Sequence, residues 1–292
     1  MRVTERSKIG NLALSQGRSA ERLDKASRAA SSGMRVTKPS DDPVAYGAML
    51  RRDYTLAMAE RHGSNASRAQ GELEVAQNVL ATGGDLLIRA REAALEGANA
   101  TSDANSRNIL AEEVKTVREQ LMSIANTRYG DKYIFGGSRV GQEPFDPATG
   151  AFNGNNDQVR IPVMDGVAPV GNVSGARAFT AVGGRDLFTD LKNLETALRG
   201  NSQSGIQAAM APLEAGYQQL VSSQVEAGFG AERFKNAGEV LATTSDAVAA
   251  QLSKEVEGDP MKQLTELTLA KQAYEKSVAV TKQILSISSF TG

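Results

Sequence analysis

Apolar residues recur along most of this chain at helical spacing, and the places where the pattern breaks divide it into segments. Residues 1–35 read as a helix with a thin stripe, Ile9, Leu12, Leu23, Ala26 and Ala30. Glu21 to Lys25 and Asp24 to Arg28 are favourably oriented i,i+4 pairs on its surface. The stripe is too poor in large residues to hold alone, because packing supplies most of a helix's stability. In Lys38-Pro39-Ser40-Asp41-Asp42-Pro43, Pro39 disfavours helical geometry at Lys38, Asp42 is an N-cap, and Pro43 starts a new helix at no cost in hydrogen bonds. The spacing predicts that helix over about 43–96. Leu73, Ala76, Leu80, Gly83, Leu87, Ala90 and Ala94 form its seam of alternating threes and fours. Gly83-Gly84 in mid-helix points to a bend or a close backbone contact. The polar run Gly97 to Ser106 predicts a loop, and Leu110, Val114, Val117, Leu121 and Ile124 a second helix.

From about 130 to 185 the chain is rich in Gly, Pro, Asn and Asp. Tyr133-Ile134-Phe135, Val159-Arg160-Ile161 and Val167-Ala168-Pro169-Val170 are expected as strands, with turns at 146–150 and 153–157. Helices resume near Asp186. A second seam runs Leu213, Tyr217, Leu220, Gln224, Ala227, Ala231, Phe234, Gly238, Leu241, Ser245, Val248, Leu252, as in a long coiled coil. After Gly258-Asp259-Pro260 a last helix carries two apolar stripes: Leu264, Leu267, Tyr274, Val278 and Leu285 on one, Leu269, Ala273, Val280, Ile284 and Ile287 on the other. A helix apolar on two faces must be buried on two sides. The N-terminal helix can cover one face, and neighbouring subunits are inferred for the other.

The expected fold is mainly α with a small β insert. Terminal coiled-coil helices (1–40 and 258–292) enclose a helical rod domain (41–130 and 186–257), which encloses a β-rich outer domain (131–185). Side-by-side packing of long helices would put both termini at one end of the rod and the insert at the other. The subunit-contact candidates are Ile9, Leu12, Leu23, Leu264, Leu267, Leu269, Tyr274, Val278, Val280, Ile284, Leu285 and Ile287.

Composition narrows the chemistry. The 292 residues include no Cys, so thiolate nucleophiles, thiolate metal sites and disulfides are excluded. Trp is absent and aromatics are 5% of the chain, which suggests helices packed through small side chains. With one histidine, His62, in an exposed-looking Arg61-His62-Gly63, no paired-histidine metal site can form. Glu112-Glu113 and Glu255/Glu257 read as solvated helix-face charges, not an acid/base pair. No phosphate loop or nucleophile elbow occurs, so no enzyme activity and no cofactor are expected. The net charge is −1. Residues 1–38 carry +6, but interleaved with acids and apolar residues, which favours a solvated face over a nucleic-acid or membrane arm. Neither a signal-peptide h-region nor a membrane-spanning stretch is visible.

Ser31-Ser32-Gly33-Met34-Arg35-Val36-Thr37-Lys38-Pro39-Ser40-Asp41-Asp42-Pro43 resembles the "SG-R-hydrophobic-x-x-PSDDP" segment of the flagellin superfamily. Tyr133-Ile134-Phe135-Gly136-Gly137-Ser138 followed by Glu143-Pro144-Phe145 is similar to the "YIF-(G/A)-G…PF" pattern of its hook-associated protein 3 family. The ending, Ile284 to Gly292, departs from the Leu-rich tails of relatives. The resemblance implies a structural subunit of the bacterial flagellum at the hook–filament junction, polymerising through its terminal helices. It implies export through the flagellar type III apparatus without a cleavable signal peptide, and an extracellular location. The implied partners are other copies in a layer, another hook-associated protein, flagellin, and a cytoplasmic export chaperone, with no nucleic acid and no membrane insertion. The alternatives are a filament flagellin and a type III secretion tip or translocator protein. Terminal helices that cannot bury both faces alone are expected to be disordered in the monomer and to fold on assembly.

Overall fold

A computed structural model describes residues 5–180 and 185–289, with the side chains of residues 5–9, 285 and 287–289 excepted. The architecture is mainly α. The helices are α1 (Glu5–Ser32), α2 (Pro43–Ala98), α3 (Ala104–Ala125), α4 (Gly175–Phe179), α5 (Leu187–Arg199), α6 (Gln203–Val256) and α7 (Pro260–Ser289). The chain forms two compact units. A central unit holds Ala59–Thr243, and a terminal unit holds residues 1–58 and 244–292.

In the central unit the predicted seams become the core. Leu73, Ala76, Leu80, Gly83, Leu87, Ala90 and Ala94 of α2 are buried, as are Leu110, Val114, Val117 and Leu121 of α3. Gly83 does not break α2. A Cβ placed there would stand 3.3 Å from Leu121 of α3 and 3.4 Å from Leu220 of α6, so the glycine lets three helices approach closely. The loop after α2 is shorter than its polar composition predicts. α3 starts at Ala104, because the Asp103 carboxylate accepts the Ser106 N–H at 2.7 Å. Asp186 likewise caps α5 through the Phe188 and Thr189 N–H groups, both at 3.2 Å.

The insert departs from its predicted strands. The strands are β1 (Arg128–Tyr129) and β2 (Lys132–Tyr133), an antiparallel hairpin pairing Arg128 with Tyr133 and Tyr129 with Lys132. Ile134 and Phe135 turn inward and are fully buried instead of extending β2. Val159–Val163 does run beside Val167–Gly171, with Gly171 N–H to Val159 O at 2.8 Å and Ile161 N–H to Pro169 O at 3.0 Å. It stays an isolated bridge at Arg160 and Val170, because Pro162 and Pro169 have no N–H to continue the ladder. Asn172 fastens this ribbon, accepting the Val159 N–H at 2.8 Å and donating to Asp157 O at 2.9 Å. His62 is not free on the surface: it is half-buried, its Nδ1 3.2 Å from Pro162 O.

What holds the insert down is a cluster of phenylalanines. Phe179 lies 5.2 Å from Phe135 and 5.5 Å from Phe145 in edge-to-face contacts, and Phe188 stacks on it at 6.2 Å. Phe152 leans on Phe145 at 5.0 Å. Small residues do line the buried face of α2, but the low aromatic average of the whole chain hides this cluster. These rings are concentrated between 135 and 188, a local enrichment that a windowed count would have found.

Candidate functional site

The terminal unit is built differently. Among its described apolar side chains only Val36 and Val256 are fully buried. They sit in a knot of backbone and charge. α1 ends where Gly33 takes φ +72° and donates its N–H to Ala29 O at 2.9 Å. The chain then pairs with the end of α6. Arg35 N–H donates to Val256 O at 2.7 Å, and Gly258 N–H donates to Gly33 O at 3.0 Å. Lys38-Pro39-Ser40-Asp41 is a turn closed by Asp41 N–H to Lys38 O at 3.0 Å. Asp42 then caps α2, accepting the Val44 and Ala45 N–H groups at 3.2 and 3.0 Å.

The side chains repeat these ties. The Asp41 carboxylate accepts the Thr37 N–H and hydroxyl at 3.3 and 3.1 Å and pairs with Lys25 at 3.1 Å. Lys25 thus serves the turn rather than its predicted partner Glu21, while Asp24 and Arg28 do pair. Burial by itself would raise the Asp41 pKa, but the Lys25 ammonium and the Thr37 donors outweigh it and hold it at about 2. Glu255 was expected as a solvated charge. Instead it takes both arms of the Arg52 guanidinium, one at 2.7 Å, and its pKa is lowered by that bond. Glu112 and Glu113 are also paired, with Arg199 at 2.7 Å and Arg89 at 3.1 Å.

α7 packs along α1. On the face toward α1, Leu267, Tyr274, Val278 and Ile284 are half-buried, as are Leu12 and Leu23 of α1. Leu269 and Val280 are left 59% and 48% exposed. Leu264 is exposed too, so it departs from the stripe that predicted it beside Leu267, and Ile284 departs from the stripe of Leu269. The side chains of Ile9, Leu285 and Ile287 lie outside the described residues. A groove of about 760 Å³, with Ala26, Ala29, Ala270 and Ala273 among its lining residues, runs between α1 and α7. The first turns of α2, not among the candidates, add Val44, Leu50 and Tyr54, which are 80%, 52% and 69% exposed. Leu50 and Tyr54 stand one helical turn apart, a spacing legible in the sequence but not singled out. No grouping of three metal-ligating side chains occurs among the described residues, and no described helix is long and apolar enough to cross a membrane.

Comparison with known proteins agrees with this geometry. The family signature described as the bacterial flagellin N-terminal helical region matches residues 10–139. The flagellar hook-associated protein 3 of Salmonella typhimurium is 28% identical over 198 residues, covering 62% of this chain and 62% of that protein. The first half of the chain is thus similar to the helical N-terminal region of bacterial flagellins. Two solved structures share its fold. Xanthomonas campestris FlgL superposes with a TM-score of 0.63 at 17% identity, over 69% of this chain and 99% of that one. The flagellar junction protein FlgL from Legionella pneumophila gives 0.58 at 15% identity, over 72% and 99%. The chain thus spans about 62% of the length of its curated Salmonella relative, and the superpositions cover 99% of each of the two solved chains.

The Ser31-to-Pro43 segment is the knot that ties the end of α1 to the end of α6. Gly136 of the second motif makes room for the Arg139 carbonyl, and Gly137 for the 153–157 turn. Gly137 has φ +68°, and a side chain there would collide with the Asn155 backbone.

Proposed function

We propose that this chain is a structural subunit of the bacterial flagellum at the hook–filament junction, and that it polymerises through its terminal unit. The observation that carries the reading is the mismatch between the two units. The central unit closes a phenylalanine-, leucine- and alanine-rich core of its own, while the terminal unit fully buries only Val36 and Val256 among its described apolar side chains and leaves Leu269, Val280, Val44, Leu50 and Tyr54 exposed. Exposed apolar surface of this extent on helices calls for a partner. In this reading the partners are copies of the same chain in a layer, a second hook-associated protein on one side and flagellin on the other. A cytoplasmic chaperone would shield the apolar helices before export, the chain would leave through the flagellar type III apparatus, and its role would be mechanical, with no catalysis. The junction reading is preferred over a filament flagellin because of the Tyr133-to-Phe145 motif and the extent of the match to a hook-associated protein 3, 62% of this chain.

The structure selects the substitutions for the test. Leu267 and Ile284 are half-buried, so an acid at either would also disturb the α1–α7 pair. Leu269 and Val280 are the more open, at 59% and 48% exposure. The double variant Leu269→Asp, Val280→Asp is therefore expected to be a monomer with wild-type helicity that does not restore swimming to a strain deleted for the gene, and such cells should shed flagellin into the medium. Quantification of sheared flagella should find the wild-type chain as a trace component beside the filament protein. Normal swimming by the double variant, or wild-type protein as abundant as filament subunits, would defeat this reading.

A further inference from the structure

Asn153 is the one asparagine in the chain that precedes a glycine. Packing explains why the glycine is there. A Cβ on Gly154 would stand 2.6 Å from the Phe152 ring and 3.0 Å from the Gly136 carbonyl, so a side chain at 154 has no room. Phe152 in turn leans on Phe145 at 5.0 Å. The fold thus requires at 154 the residue type that shields its own backbone nitrogen least. The Asn153 side chain is exposed and makes no hydrogen bond among the described residues, and the Gly154 N–H has no partner among them either.

We propose that Asn153 is a modification site, whose side-chain amide converts spontaneously to a mixture of aspartyl and isoaspartyl residues in the folded protein. The Gly154 nitrogen, after losing its proton to hydroxide, attacks Asn153 Cγ. The N–Cγ bond forms, the Cγ–Nδ2 bond breaks, and ammonia leaves with a proton taken back from water. Water then opens the cyclic imide at either carbonyl, so the net change consumes water and releases ammonia. The turn promotes the first step. The Asn153 carbonyl accepts from the Arg139 guanidinium at 3.2 Å and from the Gln142 amide at 3.3 Å. Donors on that carbonyl draw electron density from the peptide group it shares with Gly154, which makes the Gly154 N–H more acidic. The Arg139 charge also favours the anion, while Glu143, on the same groove, opposes it. Asn126, Asn155 and Asn172, by contrast, hold their side chains in hydrogen bonds, to Phe145, Ser138 and Val159 respectively, and precede bulkier residues.

The two products differ in their effect on the turn. The isoaspartyl product carries the main chain through its side-chain carbon and so lengthens it by a methylene before Gly154. Asn155 cannot then keep both its N–H on Gly136 O, at 3.2 Å, and its side chain on the Ser138 N–H, at 2.8 Å. The aspartyl product keeps the backbone and places a carboxylate beside Arg139. Asn153 lies within Ala59–Thr243, so this chemistry depends neither on the terminal helices nor on where the chain assembles.

The test is to incubate the full-length protein in water enriched in heavy oxygen, digest it, and separate the aspartyl and isoaspartyl peptides before mass spectrometry. Residue 153 should take up the label and yield both products, faster than any other asparagine in the chain. The rate should rise about tenfold per pH unit between neutral and mildly alkaline buffer, since the reacting species is the Gly154 anion. The amides of Asn155 and Ser138 should exchange faster in the isoaspartyl form only. Asn153→Gln, which leaves the backbone ties of the turn in place, should stay unlabelled at 153. The site is refuted if Asn153 survives in the folded protein and converts only in urea, or if another asparagine converts first. Aspartate at 153 without any isoaspartate would refute the route through the imide.

Discussion

Phe179→Ala should lower the stability of the central unit by about 3–5 kcal/mol, the range for emptying a buried aromatic site. Phe179 is fully buried at the end of α4, a helix of only five residues that has little stability of its own. Its ring is the meeting point of Phe135, Phe145 and Phe188, which belong to three separated segments. Removing it both leaves a cavity and deprives each neighbour of an edge-to-face or stacked contact. The loop-rich insert cannot collapse to fill the space, because its path is fixed by close backbone contacts such as that of Gly137 with Asn155. Urea unfolding followed by circular dichroism should show the main transition at much lower denaturant. A change below about 1 kcal/mol would mean that the ring cluster does not hold the insert on the bundle.

Arg107→Leu should cost about 3 kcal/mol, an effect that its position on a helix surface pattern does not suggest. Arg107 is 6% exposed and pairs with no carboxylate among the described residues. Its guanidinium donates to Gly97 O at 2.8 Å and Asn99 O at 3.2 Å and bonds Asn201. Gly97 belongs to the last turn of α2, whose carbonyls have no partners within the helix. The positive charge also lies at the negative end of the α2 dipole. Leucine would fill the volume but leave those acceptors buried and unpaired. Arg107→Lys should recover part of the loss, since an ammonium keeps the charge but cannot span the same acceptors with a fixed fork. The measurement is again the unfolding midpoint, together with faster hydrogen exchange at the α2 C-terminus. Equal stability of the wild type and the Leu variant would show that water replaces the guanidinium.

Much of the helical plan was legible in the residues. The seam from Leu73 to Ala94 and the run Leu110 to Leu121 are buried as their spacing requires, and Asp42 with Pro43 starts α2 where cap chemistry puts it. These are local properties. Periodicity and capping act over one to a few turns, so the string of residues contains the whole cause. The later part of the second seam was less faithful. Leu213, Leu220, Ala227, Ala231, Phe234 and Leu241 are buried, but Ser245, Val248 and Leu252 are only half-buried, because they lie in the unit without a closed core.

Other features were out of reach of pattern. Arg52 and Glu255 are 203 positions apart, and Arg35 reaches across 220 to the Glu255 carbonyl. No spacing rule joins such residues, and on their helices they read as ordinary surface charges. The insert was misread for a related reason: whether Ile134 and Phe135 continue a strand or turn into a core depends on Phe179 and Phe145 arriving from elsewhere to cover them.

The sequence by itself determined where the helices begin, which stripe of each is apolar, and that the terminal helices have too little large apolar surface to close a core. The tertiary structure decided which of those stripes meet, which remain open at Leu269, Val280 and Tyr54, and which distant charges pair within the terminal unit. The division is physical: backbone propensity and periodicity are set by neighbours along the chain, whereas burial and ion pairing are set by neighbours in space.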